Sequence, residues 1–155
     1  MSRVQLALNV SDLDAAVAFY AKLFGVAPAK RRLGYANFAV ADPPLKLVLI
    51  EGDAPAGTLN HLGVEVASTD EVADATARFS GAGLATATED AVACCYAVQD
   101  KVWVNDPDGA PWEVYTVLGD ADAPAGRLRE AAAESDTACC APAPSGAPGG
   151  EPCCG

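Results

Sequence analysis

Residues 61–83, HLGVEVASTDEVADATARFSGAG, repeat in outline residues 4–25, VQLALNVSDLDAAVAFYAKLFG. Each stretch opens with a short strand signal, apolar and other residues alternating with period two. Each then passes a serine and switches to helical spacing: Leu13, Val17, Tyr20 and Phe24 in the first copy, Val72, Ala75 and Phe79 in the second. Ser11 and Ser68 are the candidate N-caps, and Ser68 with Glu71 fits a capping box. Gly25 and either Gly81 or Gly83 suit a left-handed C-terminal turn. Strand-like runs follow each helix: YANFAV (35–40) and LKLVLIE (45–51), then ACCYAV (93–98), KVWV (101–104) and WEVYTV (112–117). NDPDG, residues 105–109, is a turn signal ahead of the last of them. The internal repeat predicts an α+β chain with the layout βαβββ twice, in modules of about residues 1–55 and 56–119.

Composition changes after Leu118. Residues 120–155 are rich in Ala, Pro and Gly and carry no aromatic residue to anchor a core. A short helix over 126–134 is the most that stretch supports, and the rest is expected to be a flexible tail. At 155 residues the chain holds one compact domain, about 1–119. No apolar run reaches the roughly 18 residues of a membrane span, and the opening MSRVQLALNVSD turns polar too soon for a signal peptide. The expectation is a cytoplasmic protein with reduced thiols. The formal charge of −11, with no basic stripe, disfavours nucleic acid and anionic membrane as partners.

The double βαβββ layout resembles the vicinal oxygen chelate superfamily of glyoxalases, extradiol dioxygenases and bleomycin-resistance proteins. The DPDG…WEV ending is a moderately specific mark of it. The resemblance implies a half-open mixed sheet around a metal or ligand cavity. In that superfamily metal ligands come from the first strand of each module and the last strand of the second, places held here by Gln5, His61 and Glu113. Gln5 opens QLALNV as His61 opens HLGVEV, so the two are equivalent positions of the repeat. Alternation puts Gln5, Ala7 and Asn9 on one strand face and Leu6, Leu8 and Val10 on the other, and separates His61, Gly63 and Glu65 from Leu62, Val64 and Val66. Imidazole, carboxylate and amide oxygen would hold a divalent first-row metal with positions left open, close to the facial arrangement of non-haem Fe(II). Singly, each residue has an ordinary reading: a structural histidine, an edge charge, an uninformative glutamine.

Two departures narrow the activity. A glyoxalase-type site takes a further Glu from the last strand of module one, where this chain has Lys46, a donor with no acceptor capacity when protonated. Extradiol ring cleavage uses a second histidine for acid–base work, and His61 is the chain's lone histidine.

The six cysteines fall as three adjacent pairs, Cys94-Cys95, Cys139-Cys140 and Cys153-Cys154. Sequence neighbours sit about 3.8 Å apart at Cα, tighter than the usual disulfide, whereas paired thiolates suit a soft, thiophilic ion. Consecutive side chains on a regular strand point to opposite faces, so joint action by Cys94 and Cys95 requires irregular backbone around Ala93–Cys95. Tyr96, Lys101 and Trp103 are candidates to line such a lid; packing and surface charge are their ordinary reading. Two buried, inert thiols are the alternative for the pair.

VQLALNV, GYANFAVADPPLKLVLIE, LNHLGVEV, CCYAVQDKVWV and PWEVYTV together strongly resemble the ArsI-type C–As lyases and the related CadI-like cadmium-induced proteins. The resemblance implies an Fe(II)-dependent, O2-using enzyme that converts trivalent organoarsenicals (methylarsenite, with aromatic arsenicals as further substrates) to arsenite. It implies iron on Gln5, His61 and Glu113 and the arsenical on Cys94 and Cys95. The rival is a non-catalytic resistance protein whose thiolates bind Cd(II) or As(III). The tail pairs Cys139, Cys140, Cys153 and Cys154 would collect the metalloid and pass it to Cys94-Cys95, or sequester the product. A third reading is a drug-binding module without iron. Monomer and homodimer both stay open.

Overall fold

The computed structural model describes residues 2–94 and 96–121. Cys95, the four tail cysteines and the helical stretch expected over 126–134 lie outside the described residues.

The first module runs β1 (Arg3–Val10), α1 (Leu13–Phe24), β2 (Lys30–Arg32), β3 (Tyr35–Val40) and β4 (Leu45–Glu51). The second repeats it as β5 (Leu59–Glu65), α2 (Thr69–Gly81), β6 (Thr86–Cys94), β7 (Ala97–Asn105) and β8 (Pro111–Asp120). All eight strands form one mixed sheet in the order β2-β3-β4-β1-β5-β8-β7-β6. Within each module the first strand lies parallel to the last, β1 with β4 and β5 with β8. The modules join through the antiparallel pair β1–β5. The sheet curls until its margins meet. Lys30 Nζ donates to the Tyr96 carbonyl at 3.0 Å and the Tyr96 hydroxyl to the Leu33 carbonyl at 3.2 Å. The Tyr35 and Tyr96 rings tilt together 5.6 Å apart.

Alternation decides which face each side chain serves. The outer face carries two apolar clusters. Leu13 and Val17 of α1 pack on Ala36, Phe38, Val40, Leu47 and Leu49, with Leu6, Leu8 and Val10 alongside. Val72 and Ala75 of α2 pack on Val102 and Val114, with Val64, Val66 and Phe79 alongside. The inner face is polar for a protein interior: Gln5, Asn9, Asn37, Lys46, His61, Gln99, Lys101 and Glu113 are all buried. Burying that many polar groups is tolerable only where they satisfy one another or a ligand. Among the described residues no helix is long and apolar enough to cross a membrane.

Three local expectations are corrected, and a fourth is met only beside the predicted residues. Asp12, not Ser11, caps α1, its Oδ1 accepting from Ala15 N at 2.9 Å. Ser68 does cap α2, but Glu71 Oε2 accepts from Ala67 N at 2.8 Å, one residue before the N-cap amide a capping box would use. ACCYAV is not a strand: β6 ends at Cys94, β7 begins at Ala97, and those two residues pair across the turn. Of the stretch around Ala93–Cys95 where irregular backbone is expected, Ala93 and Cys94 are paired strand up to the turn, and Cys95 lies outside the described residues. The irregular backbone lies to either side, at Ala91 (φ 48°), beside a register shift between Glu89 and Val92, and at Tyr96 (φ 63°). Gly25 and Gly83 take the left-handed conformation expected after the helices.

Candidate metal centre

Register brings the three candidate ligands together. Gln5 on β1 pairs with Gly63 on β5, and Gly63 pairs with Glu113 on β8. His61 lies two residues before Gly63, on the same strand face. Gly63 is what lets the flanking side chains approach. A Cβ there would sit 3.0 Å from Glu113 Cγ and 3.4 Å from Gln5 Cβ.

Gln5, His61 and Glu113 are 4%, 7% and 3% exposed. Gln5 Nε2 is 3.0 Å from His61 Nε2 and 2.7 Å from Glu113 Oε1, and His61 Nε2 is 3.4 Å from Glu113 Oε1. Ligand bonds of about 2.1 Å at right angles set neighbouring donors about 3.0 Å apart. The three side chains thus present a triangle of the size of one face of an octahedron. Among the described residues no three His, Cys, Asp or Glu side chains converge in this way, so a metal held here would need the Gln5 amide oxygen as its third donor.

Counting protons also favours a cation here. The Tyr115 hydroxyl has one proton but faces two acceptors, Gln5 Oε1 at 2.5 Å and Glu65 Oε2 at 2.9 Å. Turning the Gln5 amide over lets its Nε2 donate to Tyr115, whose proton then goes to Glu65. That turn points Gln5 Oε1 at Glu113 Oε1 and His61 Nε2, three atoms that a bound cation, or a proton on Nε2, would hold together.

Glu113 is held anionic. Burial pushes its carboxyl up, but the hydrogen bond and charge of His61 and the Lys101 ammonium outweigh burial and leave it at about 2. Lys101, itself buried, reaches Glu113 Oε2 at 2.7 Å, so Oε1 is the oxygen turned to Gln5 and His61. Tyr115 is pushed well above its ordinary range, first by burial and then by the Glu65 and Glu113 carboxylates, and keeps its proton. Lys101 and Trp103 belong to β7, not to the turn. The Lys101 ammonium lies 5.2 Å from the Trp103 ring centre, and Trp103 meets the His61 ring edge-on at 5.5 Å. Lys46, in register with Gln5, sends its ammonium to Glu65 Oε2 at 2.9 Å.

Cys94 is half-buried at the end of β6, and Tyr96, on the same turn, is buried against Ala7, Tyr35, Val48 and Ile50. Beside this turn a cleft of about 230 Å3 runs into the curl of the sheet, lined among others by Arg3, Lys30, Asn37, Lys46, Glu65 and Gln99. Tyr115, Gly63 and Asn60 were not singled out by the sequence. Tyr115 was within reach of it, since it follows Glu113 by two residues on one strand.

The chain is similar to several known proteins. It is 58% identical over 158 residues to a trivalent organoarsenical cleaving enzyme of Thermomonospora curvata, covering 99% of this chain and 100% of that one. It is 62% identical over 122 residues to the cadmium-induced protein CadI of Mycobacterium bovis, covering 79% and 80%. Among solved structures, the Mn(II)-bound glyoxalase from Novosphingobium aromaticivorans superposes with a TM-score of 0.56 at 25% identity, over 82% of this chain and 44% of that one. An extradiol ring-cleaving dioxygenase from B. fuscum shares the fold at 22% identity and a TM-score of 0.56, over 77% of this chain and 34% of that one. A family model matches residues 3–114, and with the relatives above it establishes that the chain belongs to the Glyoxalase/Bleomycin resistance protein/Dioxygenase superfamily.

Proposed function

We propose that the protein cleaves the carbon–arsenic bond of trivalent organoarsenicals, using Fe(II) held by Gln5, His61 and Glu113 and dioxygen as co-substrate. The observation that carries this reading is the full-length 58% identity to an organoarsenical cleaving enzyme, in a chain whose amide, imidazole and carboxylate form a metal-sized triangle.

Cys94 and Cys95 displace the two hydroxyls of R–As(OH)2, each thiol proton leaving with one hydroxyl, so that two As–S bonds form and two waters are released. The As–C bond is left unshielded and held in place, which is the positioning contribution. Fe(II), which Gln5, His61 and Glu113 would hold, would supply open coordination positions for activating dioxygen. Lys101 holds one Glu113 oxygen so that the other stays turned to the site, and the Trp103 ring limits water beside His61. For methylarsenite the balance is one dioxygen in, with arsenous acid and formaldehyde out. The methyl carbon gives up the four electrons that dioxygen accepts, and arsenic stays trivalent.

A second reading is favoured by the 62% identity to a cadmium-induced protein: thiolate buffering of Cd(II) or As(III) without turnover. The deciding experiment loads the protein anaerobically with Fe(II), adds methylarsenite, admits air and speciates the arsenic. Arsenite formed only with iron and oxygen supports cleavage. Methylarsenite recovered intact and protein-bound, with iron loading verified, overturns it in favour of the buffer.

A further inference from the structure

Among the described residues two buried side-chain polar atoms have no hydrogen-bond partner, Arg3 Nε and Gln99 Oε1. Both residues line the same cleft. Gln99 is 5% exposed, so its amide is withdrawn from bulk water. The cleft is also unbalanced in charge. Glu65 serves both Arg3, at 2.8 Å, and Lys46, at 2.9 Å, so two cations share one carboxylate. Lys30 adds a third cation, whose acidic partner Asp120 is largely in water. Three of the chain's ten basic residues therefore meet in one interior cleft of a protein with formal charge −11. Arg3 Nε is an unmet donor in a cationic cavity, which fits an anion with oxygen acceptors, whereas Gln99 Oε1 is an unmet acceptor and would serve such an anion only with the amide turned over so that its NH2 takes the place of the oxygen.

The geometry points to this cleft as a carboxylate subsite, filled by an acidic substituent on the organic group of the arsenical. Continuity with the cysteine turn favours that bearer. Ala97, which pairs with Cys94, lines the cleft, and Lys30 Nζ donates to the Tyr96 carbonyl. A volume of about 230 Å3 takes a substituted aromatic ring and leaves a methyl group loosely held. Choosing an arsenical as the bearer rests on the cleavage proposed above, whereas carboxylate binding by itself does not.

The test titrates the metal-free protein with benzoate and with neutral benzamide, following side-chain and backbone amide resonances. Benzoate is expected to bind at the cleft and to weaken about tenfold or more in Gln99→Leu and in Lys46→Met. Equal binding of benzamide, or unchanged benzoate binding in both folded variants, overturns the subsite. Phenylarsenite and 4-carboxyphenylarsenite then identify the bearer. A tenfold preference for the carboxylated compound, lost in Gln99→Leu, supports it. Benzoate binding without that preference overturns the arsenical as bearer and assigns the cleft to a separate acid. Failure of the thiols to capture either arsenical, with benzoate still bound, sinks the cleavage reading and leaves the subsite standing.

A separate chain of contacts bears on His61. Thr58 Oγ1 lies 2.6 Å from the Pro55 carbonyl, which can only accept, so the Thr58 proton is committed there. Asn9 Nδ2 must then donate to Thr58, at 2.9 Å, and Asn60 Nδ2 to Asn9 Oδ1, at 2.9 Å. Asn60 Oδ1, at 2.7 Å from His61 Nδ1, is left to accept. We infer that Thr58, Asn9 and Asn60 are positioning residues, transmitting the polarity of one carbonyl so that His61 is protonated at Nδ1 and presents its Nε2 lone pair to the metal. Partners of this kind fix the tautomer of a ligating histidine.

With a single histidine in the chain, the tautomer is directly readable from its two imidazole nitrogen resonances in untagged, metal-free protein at a pH where the ring is neutral. The wild type should be the Nδ1–H form. Asn60→Leu and the remote Thr58→Val should mix in the other tautomer and weaken Co(II) binding about 10–100-fold, while Asn60→Asp keeps the Nδ1–H form. An unchanged tautomer in both Thr58→Val and Asn60→Leu would overturn the relay, whatever their stability.

Discussion

The Tyr115 hydroxyl lies 2.5 Å from the Gln5 carboxamide oxygen, a contact that spans 110 positions of sequence and joins the last strand to the first. Tyr115 also reaches Glu65, which holds Lys46 and Arg3. In this orientation the Gln5 NH2 faces His61 and Glu113, so ligation of a metal by the amide oxygen would require the amide to turn over, with Nε2 then donating to Tyr115.

Removing this hydroxyl isolates its role. Tyr115→Phe keeps the ring and its burial but leaves Gln5 free to turn and Glu65 short of one donor. Fe(II) or Co(II) affinity should fall about 10–100-fold, with stability lowered by about 1–3 kcal/mol. Metal titration and denaturant melts check the two effects separately. Wild-type affinity in the variant would mean that Tyr115 does not orient the amide.

Gly63→Ala tests the close approach. Gly63 has no left-handed φ, so backbone strain is not at issue; the problem is a methyl group 3.0 Å from Glu113 Cγ. Overpacking of this sort costs about 1–3 kcal/mol. Because Gln5 and Glu113 both flank the new atom, metal affinity should drop more than the melting temperature suggests. A variant as stable as wild type and equally able to bind metal would show that Gly63 leaves spare room.

How much of this was readable in advance depended on range. Strands β3 and β4 and both helices follow from local periodicity, and the same alternation put Gln5 and His61 on the polar strand faces, while Glu113 came from the superfamily resemblance. Strand β2 escaped because Lys30, Arg31 and Arg32 carry no apolar signal; only pairing with β3 makes them a strand. ACCYAV misled for the opposite reason. Its apolar run conceals a turn whose positive φ falls on Tyr96 rather than on the Gly or Asn that normally advertises one. Gly63, Tyr115 and Asn60 matter through register between distant strands, which no local pattern encodes.

Lys101 and Glu113 form a buried pair, so breaking it should be costly. Lys101→Met leaves the Glu113 charge uncompensated apart from His61, and the metal-free protein should lose about 3–5 kcal/mol. A bound divalent cation would replace the lost charge, so saturating Co(II) should restore much of that loss. Denaturant midpoints with and without metal read this directly. Equal destabilisation in both states would argue against a cation beside Glu113.

Acid stability follows from Glu65 and Glu113. Burial raises the Glu65 carboxyl, but Lys46 first, then Arg3 and Tyr115, bring it below the ordinary 4.5; Glu113 lies lower, at about 2. A carboxylate depressed by folding contributes stability above its unfolded value, and that contribution is lost as pH falls through the folded one. Unfolding midpoints should therefore decline from about pH 4.5 downward, and continue to decline toward pH 2. Glu65→Gln should flatten the upper part of that decline and leave the lower part, which belongs to Glu113. An unaltered acid profile in Glu65→Gln would show that its pairing with Lys46 and Arg3 adds nothing on folding.

The division of labour in the proposed reaction separates through two substitutions. His61→Ala removes the imidazole corner of the triangle and leaves the β6–β7 turn, which is built on other contacts, undisturbed. Iron binding and turnover should be lost while thiol-dependent capture of phenylarsenite persists. Cys94→Ser should do the reverse, keeping Co(II) or Fe(II) affinity within about twofold and losing arsenical capture, because one remaining thiolate cannot take both exchangeable oxygens. The two losses must not be interchangeable. If Cys94→Ser lowered metal affinity as much as His61→Ala did, the thiol would have to be counted as a metal ligand. Full turnover in either variant would remove its residue from the reaction.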